Sequence, residues 1–213
     1  NHLLVVEKPV NILSQGDNTN DDDMVNLLKK YLKEKYNKPG NVFVGLVHRL
    51  DRPVGGIMVF AKTSKAASRL SEQVRNKTFK KTYKAVLHGE MKKKQDNLSD
   101  YLYKDKKTNM VSVVNKNHKD AKDAKLSYKT LASNNGFSLV EIDLQTGRPH
   151  QIRVQFSSRN HPLYGDQRYG KNVNKKGQQI ALWSYKIEIE HPTKKEKMEF
   201  VCEPPNKYPW NMF

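Results

Sequence analysis

Val47-His48-Arg49-Leu50-Asp51-Arg52-Pro53-Val54-Gly55-Gly56 is a dense polar segment between two apolar runs, Val42 to Leu46 and Ile57 to Ala61. Apolar, polar, apolar at these lengths reads as strand, loop, strand, with Asp51 at the mouth of the loop. Gly55-Gly56 lets the backbone approach a ligand closely. Taken alone, an aspartate before Arg52-Pro53 is more often ordinary turn chemistry. A second dense segment is Leu144-Gln145-Thr146-Gly147-Arg148-Pro149-His150-Gln151-Ile152-Arg153. Pro149 suits the first turn of a helix through Ile152 and Phe156, so Arg148, His150 and Arg153 cluster at a helix start, a natural anion site. On that helix His150 and Arg153 share a face while Ile152 and Phe156 point to the core. A carboxylate from one segment meeting a guanidinium from the other would stay ionised, because opposite charge lowers its pKa. Arg153 serves equally well as a structural ion-pair partner.

Outward from these segments the pattern is strand-rich. Leu3 to Val6 is a short strand ended by Lys8-Pro9. Asp21 to Asp23 precede a helical period through Met24, Leu27, Leu28, Tyr31, Leu32 and Tyr36, with acids at its positive end. Ser64 is the expected N-cap of a helix carrying Ala67, Leu70 and Val74. Phe79 to Leu87 is a strand with Phe79, Lys81, Tyr83, Ala85 and Leu87 on one face, where Tyr83 by itself reads as core. Weaker strands follow at Leu98 to Tyr103 and Met110 to Val114. Ala124, Leu126, Tyr128 and Thr130 then alternate with polar residues. Val140, Ile142 and Leu144 mark the buried face of the next strand. His161 to Gly170 is a punctuated loop, and Ala181 to Ile189 pairs with Met198 to Cys202. Strands outnumber helices without βαβ alternation, which indicates α+β with a large mixed sheet. No repeat or linker divides the chain, so one domain over 1–213 is expected.

The chain has 213 residues with 39 Lys+Arg against 22 Asp+Glu, a formal charge of +17. That excess favours polyanions, nucleic acid first. Yet 31 of the basic residues are Lys and 8 are Arg, and Asn is abundant, so much of the lysine could reflect genome composition. The arginines lead instead: Arg49, Arg52, Arg148, Arg153 and Arg168 sit among His, Asp, Gly and Pro, where a planar fork matches phosphate or carboxylate. No apolar run approaches the roughly 20 residues of a membrane helix, so no membrane partner is expected. The single cysteine, Cys202, excludes an internal disulfide and fits a reducing cytoplasm.

Several chemistries drop out. The seven histidines never fall in a zinc-ligand spacing, so no metal is expected. Neither a phosphate-binding glycine loop nor a dinucleotide fingerprint is present, and Gly-x-Ser-x-Gly is absent.

At these residues the chain resembles the RluA family of RNA pseudouridine synthases. His48-Arg49-Leu50-Asp51 followed by Gly56 is similar to its catalytic motif. Lys80-Lys81-Thr82-Tyr83-Lys84-Ala85 resembles its tyrosine strand, and Thr146 to Arg153 its arginine motif. His161-Pro162-Leu163-Tyr164-Gly165-Asp166, ending in Tyr169-Gly170, resembles the loop that follows. Leu4-Val5-Val6-Glu7-Lys8-Pro9 resembles the opening strand and turn. Ordered motifs over most of the chain are far more specific than a lone one. The resemblance implies a mixed, mostly antiparallel central sheet with flanking helices and a central cleft. It implies cofactor-free conversion of uridine in structured ribosomal or transfer RNA to pseudouridine. Asp51 is then the essential carboxylate, acting on the sugar, the base or a sugar proton, while Arg153 pairs with it and Tyr83 stacks on the target base. His48, Arg49, Arg52, Arg148 and His150 fall among the RNA contacts, with Arg49 filling the stack a flipped base vacates.

Two departures stand out. Val54-Gly55 replaces the family's usual Thr-Ser, removing two hydroxyls that could brace the catalytic loop. Asn11 stands where the opening turn often has Gly, and Asn tolerates a left-handed backbone well. A single catalytic domain acting as a monomer, without the S4 domain of many members, is expected. The rival readings are a catalytically silent RNA-binding or folding-helper protein with the same fold, and an enzyme acting on DNA or free nucleosides.

Overall fold

The apolar runs form strands in the computed structural model, which describes residues 2–213. In chain order the elements are β1 (Leu3–Lys8), α1 (Met24–Lys35), β2 (Gly45–Leu46), β3 (Gly55–Ala61), α2 (Ser64–Arg75), β4 (Lys80–His88) and β5 (Gln95–Lys104). They continue as β6 (Val111–Val114), β7 (Lys122–Asn134), β8 (Phe137–Leu144), α3 (Gln151–Ser157), β9 (Leu182–Glu190) and β10 (Lys197–Val201), with a closing 3-10 turn at Trp210–Met212. The chain is α+β, mostly antiparallel strands with three helices, as the pattern of runs indicated. It packs as two units: residues up to Lys81 with Ser184–Glu203, and Thr82–Trp183 with Pro204–Phe213.

In the first unit β1 lies antiparallel to β3, with Val5 opposite Val59 and Lys8 opposite Gly56. Strand β2 adds to β3, β3 neighbours β9, and β10 adds to β9. Every residue of β3 is buried, which is why it reads as a continuous apolar run instead of an alternating one. Ile57, Val59 and Ala61 pack with Ala66 and Leu70 of α2, with Phe79, and with Ile187 and Ile189 of β9. Gly56 is required where β3 begins. Its φ is +113°, and a Cβ there would stand 2.3 Å from the Ser184 carbonyl oxygen. Asp23 caps α1 by accepting from the Asn26 amide at 3.1 Å. The cap of α2 is Thr63, accepting from the Ala66 amide at 3.2 Å, and Ser64 is the first helical residue, one step on from the expected cap.

The second unit carries the strand order β4-β8-β7-β5-β6. Tyr83 of β4 lies opposite Ile142, and Leu126 of β7 lies between Leu98 of β5 and Leu144 of β8. A register shift between Thr130 and Ala132 bends the long β7. Helix α3 is buried from Gln151 to Phe156, and its Val154 packs with Leu102, Val111 and Ala124. It starts later than the sequence indicated. His150 takes a left-handed conformation, φ 51°, so Pro149 and His150 lie outside the helix and His150 does not share a helical face with Arg153. The helix start lies at Gln151, with His150 at its N-cap and the His150 carbonyl accepting the Val154 amide at 3.0 Å.

Candidate active site

The loop between β2 and β3 holds Asp51 half-buried, and its neighbours in sequence are fastened from one direction. Ser14 is buried, and its hydroxyl donates to the Leu50 carbonyl at 2.8 Å while accepting from the Leu50 amide at 3.0 Å. Lys8 is fully buried, and its ammonium donates to the carbonyls of Pro9 at 2.8 Å, Ile12 at 2.6 Å and Arg52 at 3.1 Å. The Asn11 amide donates to the same Arg52 carbonyl at 2.9 Å, and Asn11 takes the left-handed backbone, φ 66°, expected of it. Leu50 and Arg52 are thus pinned on both sides of Asp51, and a Val54 amide to Asp51 carbonyl bond of 3.0 Å closes the turn. The bracing in doubt through loss of the Thr-Ser pair comes here from Ser14 and Lys8.

Burial lowers the Lys8 ammonium to about 8; the Asp51 charge opposes this and the Arg52 charge adds to it. The buried Lys8 ammonium and the Asp51 carboxylate thus interact electrostatically. Ser14→Ala leaves the Leu50 amide and carbonyl without the hydroxyl that serves both. A loss of about 1–3 kcal/mol is expected, read by urea melts of the purified variant.

His48, expected to face RNA, is instead buried, and its Nε2 accepts the Val59 amide of β3 at 3.0 Å. The proton therefore sits on Nδ1, an atom without a hydrogen-bond partner among the described residues. The ring packs on Phe79 at 5.1 Å. Its role is to dock the loop onto β3. Burial, then the Lys81 charge, holds its imidazole at about 3 against the usual 6.5. Between those values the unfolded chain binds the proton and the folded chain does not, so stability falls as pH drops from 6.5. Relative to His48→Gln, the protein is expected to lose about 1.4 kcal/mol per pH unit below that point, measured by denaturant melts at neutral and acidic pH. Arg49 is exposed. Arg52 is also exposed, and its guanidinium bonds Asp21 at 2.7 Å and the Asn11 carbonyl at 3.2 Å.

In the second unit Tyr83 is buried on β4, 5% exposed. Arg153 is buried on α3 and forms a two-pronged pair with buried Asp166, Nε to Oδ2 and Nη2 to Oδ1, both 2.8 Å. Asp166 Oδ1 also accepts the amides of Arg168 at 2.9 Å and Tyr169 at 3.1 Å. Burial pushes the Asp166 carboxyl up, but Arg153 and those two amides outweigh it and hold it below the ordinary value. The Tyr169 ring lies 5.2 Å from the Arg153 guanidinium carbon. The Tyr169 hydroxyl accepts the Val111 amide at 3.0 Å and pairs with His150 Nδ1 at 2.7 Å. Arg148 is half-buried and donates from Nε to the Asp123 carbonyl at 2.8 Å. Gln151 closes the turn before α3, its Oε1 accepting from the Thr146 hydroxyl at 2.7 Å and the Arg148 amide at 3.0 Å.

In the sequence Asp166 stood within the loop that resembles a family segment, with no role of its own. The loop carrying it is stapled by buried Asn174, whose side chain accepts the Gly165 amide at 2.6 Å and donates to the Leu163 and Gly170 carbonyls, each at 3.0 Å. An acid in a segment otherwise poor in acids, next to an obligatory glycine (φ +74°), was the available signal.

A model of the RNA pseudouridylate synthase family matches residues 2–158. The chain belongs to this family. It is 34% identical over 208 residues to the uncharacterized RNA pseudouridine synthase YhcT of Bacillus subtilis, covering 96% of this chain and 66% of that protein. It is 31% identical over 212 residues to the ribosomal large subunit pseudouridine synthase D of Borreliella burgdorferi, covering 97% of this chain and 64% of that one. The chain thus spans just under two thirds of the length of these relatives. Its fold is shared with the human RNA pseudouridylate synthase domain containing 4 protein: TM-score 0.78, 21% identity, 96% of this chain and 86% of that chain. The family resemblance read from the motifs is therefore correct.

Proposed function

We propose that this synthase-family chain isomerises uridine to pseudouridine within structured RNA, with Asp51 as the essential carboxylate. In that reaction the C1′–N1 bond breaks and the uracil turns. A C1′–C5 bond then forms, C5 loses its proton and N1 gains one, so the atoms balance without a redox partner. The observation that carries the reading is the fastened loop: Asp51 stands between two residues whose backbones are held by buried Ser14 and Lys8. A carboxylate that must meet one sugar or base atom needs such fixed placement. A chain that only bound RNA would have no need of it, which favours the enzyme over the silent folding helper.

The family resemblance assigns Tyr83 to the flipped base and gives Arg153, aligned by Asp166 within the second unit, a supporting role. Two relatives named for the ribosomal large subunit favour ribosomal RNA over transfer RNA as the target. The substrate class is tested by offering free uridine, a deoxyuridine-containing DNA oligomer and ribosomal RNA transcripts, and assaying each for pseudouridine. Product from the transcripts alone is expected; turnover of free uridine contradicts the reading.

A further inference from the structure

Helix α1 buries Met24, Leu28 and Leu32 and leaves a second apolar-aromatic face in water. Leu27 is 40% exposed, Tyr31 46% and, just past the helix, Tyr36 51%. Leu27 and Tyr31 are four apart and so adjoin on the surface. Two ammonium groups sit among the rings. Lys35 Nζ donates to the Tyr31 hydroxyl at 2.8 Å and lies 5.2 Å from that ring's centre and 6.0 Å from that of Tyr36. Lys62, just beyond β3, places its Nζ 4.8 Å from the Tyr36 ring centre. Lys29, Lys30, Lys33 and Lys38 are also exposed on the helix or just after it, and Glu34 is the acid on the helix. Exposed rings interleaved with ammonium groups suit a single strand of nucleic acid, because rings stack on bases of any sequence and lysines meet the phosphates.

Its distance from Asp51 follows from two rulers in the same unit. The segment before α1 is fixed beside the catalytic loop, through Asp21 on Arg52 at 2.7 Å and the Met24 amide on the Leu13 carbonyl at 2.8 Å. From there α1 runs 12 residues, about 18 Å. Strand β3 starts four residues after Asp51 and runs 7 residues to Ala61, about 20 Å end to end, with Lys62 next in the chain. Both put the far end of the cluster, Tyr36 and Lys62, about 20 Å from the catalytic loop, or about five to seven stacked nucleotides at roughly 3.4 Å each.

We propose that Tyr31, Lys35, Tyr36 and Lys62 form a second RNA contact that grips unpaired nucleotides flanking the target, about five to seven positions away. This rests on the reading of the chain as an RNA-directed enzyme. The cluster extends the footprint along the substrate and takes no part in bond making. Tyr31, Lys35 and Tyr36 are exposed and Lys62 half-exposed, and none is part of the buried core, so truncating them leaves the core intact.

The test compares fluorescein-labelled oligouridylates of about 24 and about 6 nucleotides, the long probe spanning both sites and the short one a single site. Wild type is expected to bind the long probe more tightly. Tyr31→Ala/Tyr36→Ala is expected to weaken the long probe at least about fivefold and erase its advantage over the short one. Lys35→Gln/Lys62→Gln is expected to lower the slope of log affinity against log salt by about 1.4, at roughly 0.7 per phosphate contact on a single strand. Long-probe affinity unchanged in the tyrosine variant, with wild type still forming pseudouridine in ribosomal transcripts, overturns this inference alone. A changed sedimentation coefficient with unchanged RNA affinity also overturns it, marking the face as a contact between copies of the chain. If wild type neither binds these probes nor modifies the transcripts, the functional reading falls and this inference with it.

Discussion

Asp51→Asn is expected to abolish pseudouridine formation, by at least about 10³-fold, while RNA binding and the melting temperature stay near those of wild type. The amide has the carboxylate's shape and keeps hydrogen-bonding capacity. The loop is held through backbone atoms of Leu50 and Arg52 by Ser14 and Lys8, not through the Asp51 side chain alone. The substitution therefore removes the charge and the proton-accepting or nucleophilic oxygen while the scaffold remains. Tritium release from RNA labelled at uridine C5 measures the loss, and fluorescence anisotropy on the same RNA measures the retained binding. Equal activity in the two proteins would remove Asp51 from the chemistry.

Asp166→Ala is expected to cost about 3–5 kcal/mol of stability and, where the variant still folds, about 10²-fold in turnover with a smaller change in KM. It removes the carboxylate that holds two nitrogens of Arg153 inside the protein, where a guanidinium's desolvation is costly. The Arg168 and Tyr169 amides lose their acceptor as well. Asp166→Asn keeps the shape and one acceptor, so it should recover much of the stability but less of the turnover, which separates alignment of Arg153 from simple packing. The pH dependence has a definite sign. Because the folded carboxyl sits below its usual value, the pair's contribution is complete above that value and is lost as pH falls through the folded pKa. Acid titration of wild type and Asp166→Asn should therefore converge at low pH, and a constant gap would argue against the ion pair as the source.

The parts legible in the sequence are those written in local pattern. The continuous apolar run of β3, the alternation of β7 and the acidic lead into α1 each follow from periodicity within a few residues. The motif around Asp51 was legible because its residue types are unusual together. What fastens that motif was not. Ser14 meets Leu50 across 36 positions and Lys8 meets Arg52 across 44, so both depend on how β1 and the following turn register against β3. A lysine ending an apolar strand was the visible hint, since an ammonium is rarely buried without acceptors. His48 follows for a related reason: expected among the RNA contacts beside Arg49, it sits in the loop after β2 and turns inward onto the Val59 amide of β3. The start of α3 shifted because His150 adopts a left-handed backbone, which a helical reading of Pro149-His150 does not anticipate.

The activity proposed for this chain is conversion of uridine to pseudouridine in RNA. The most direct measurement incubates the purified protein with ribosomal RNA transcripts labelled with tritium at uridine C5, counts the tritium released to water, and analyses the nuclease digest. The proposed activity gives released tritium equal in amount to the pseudouridine found in the digest. A protein that binds the transcripts but yields neither would contradict it and leave an RNA-binding member of the family in its place.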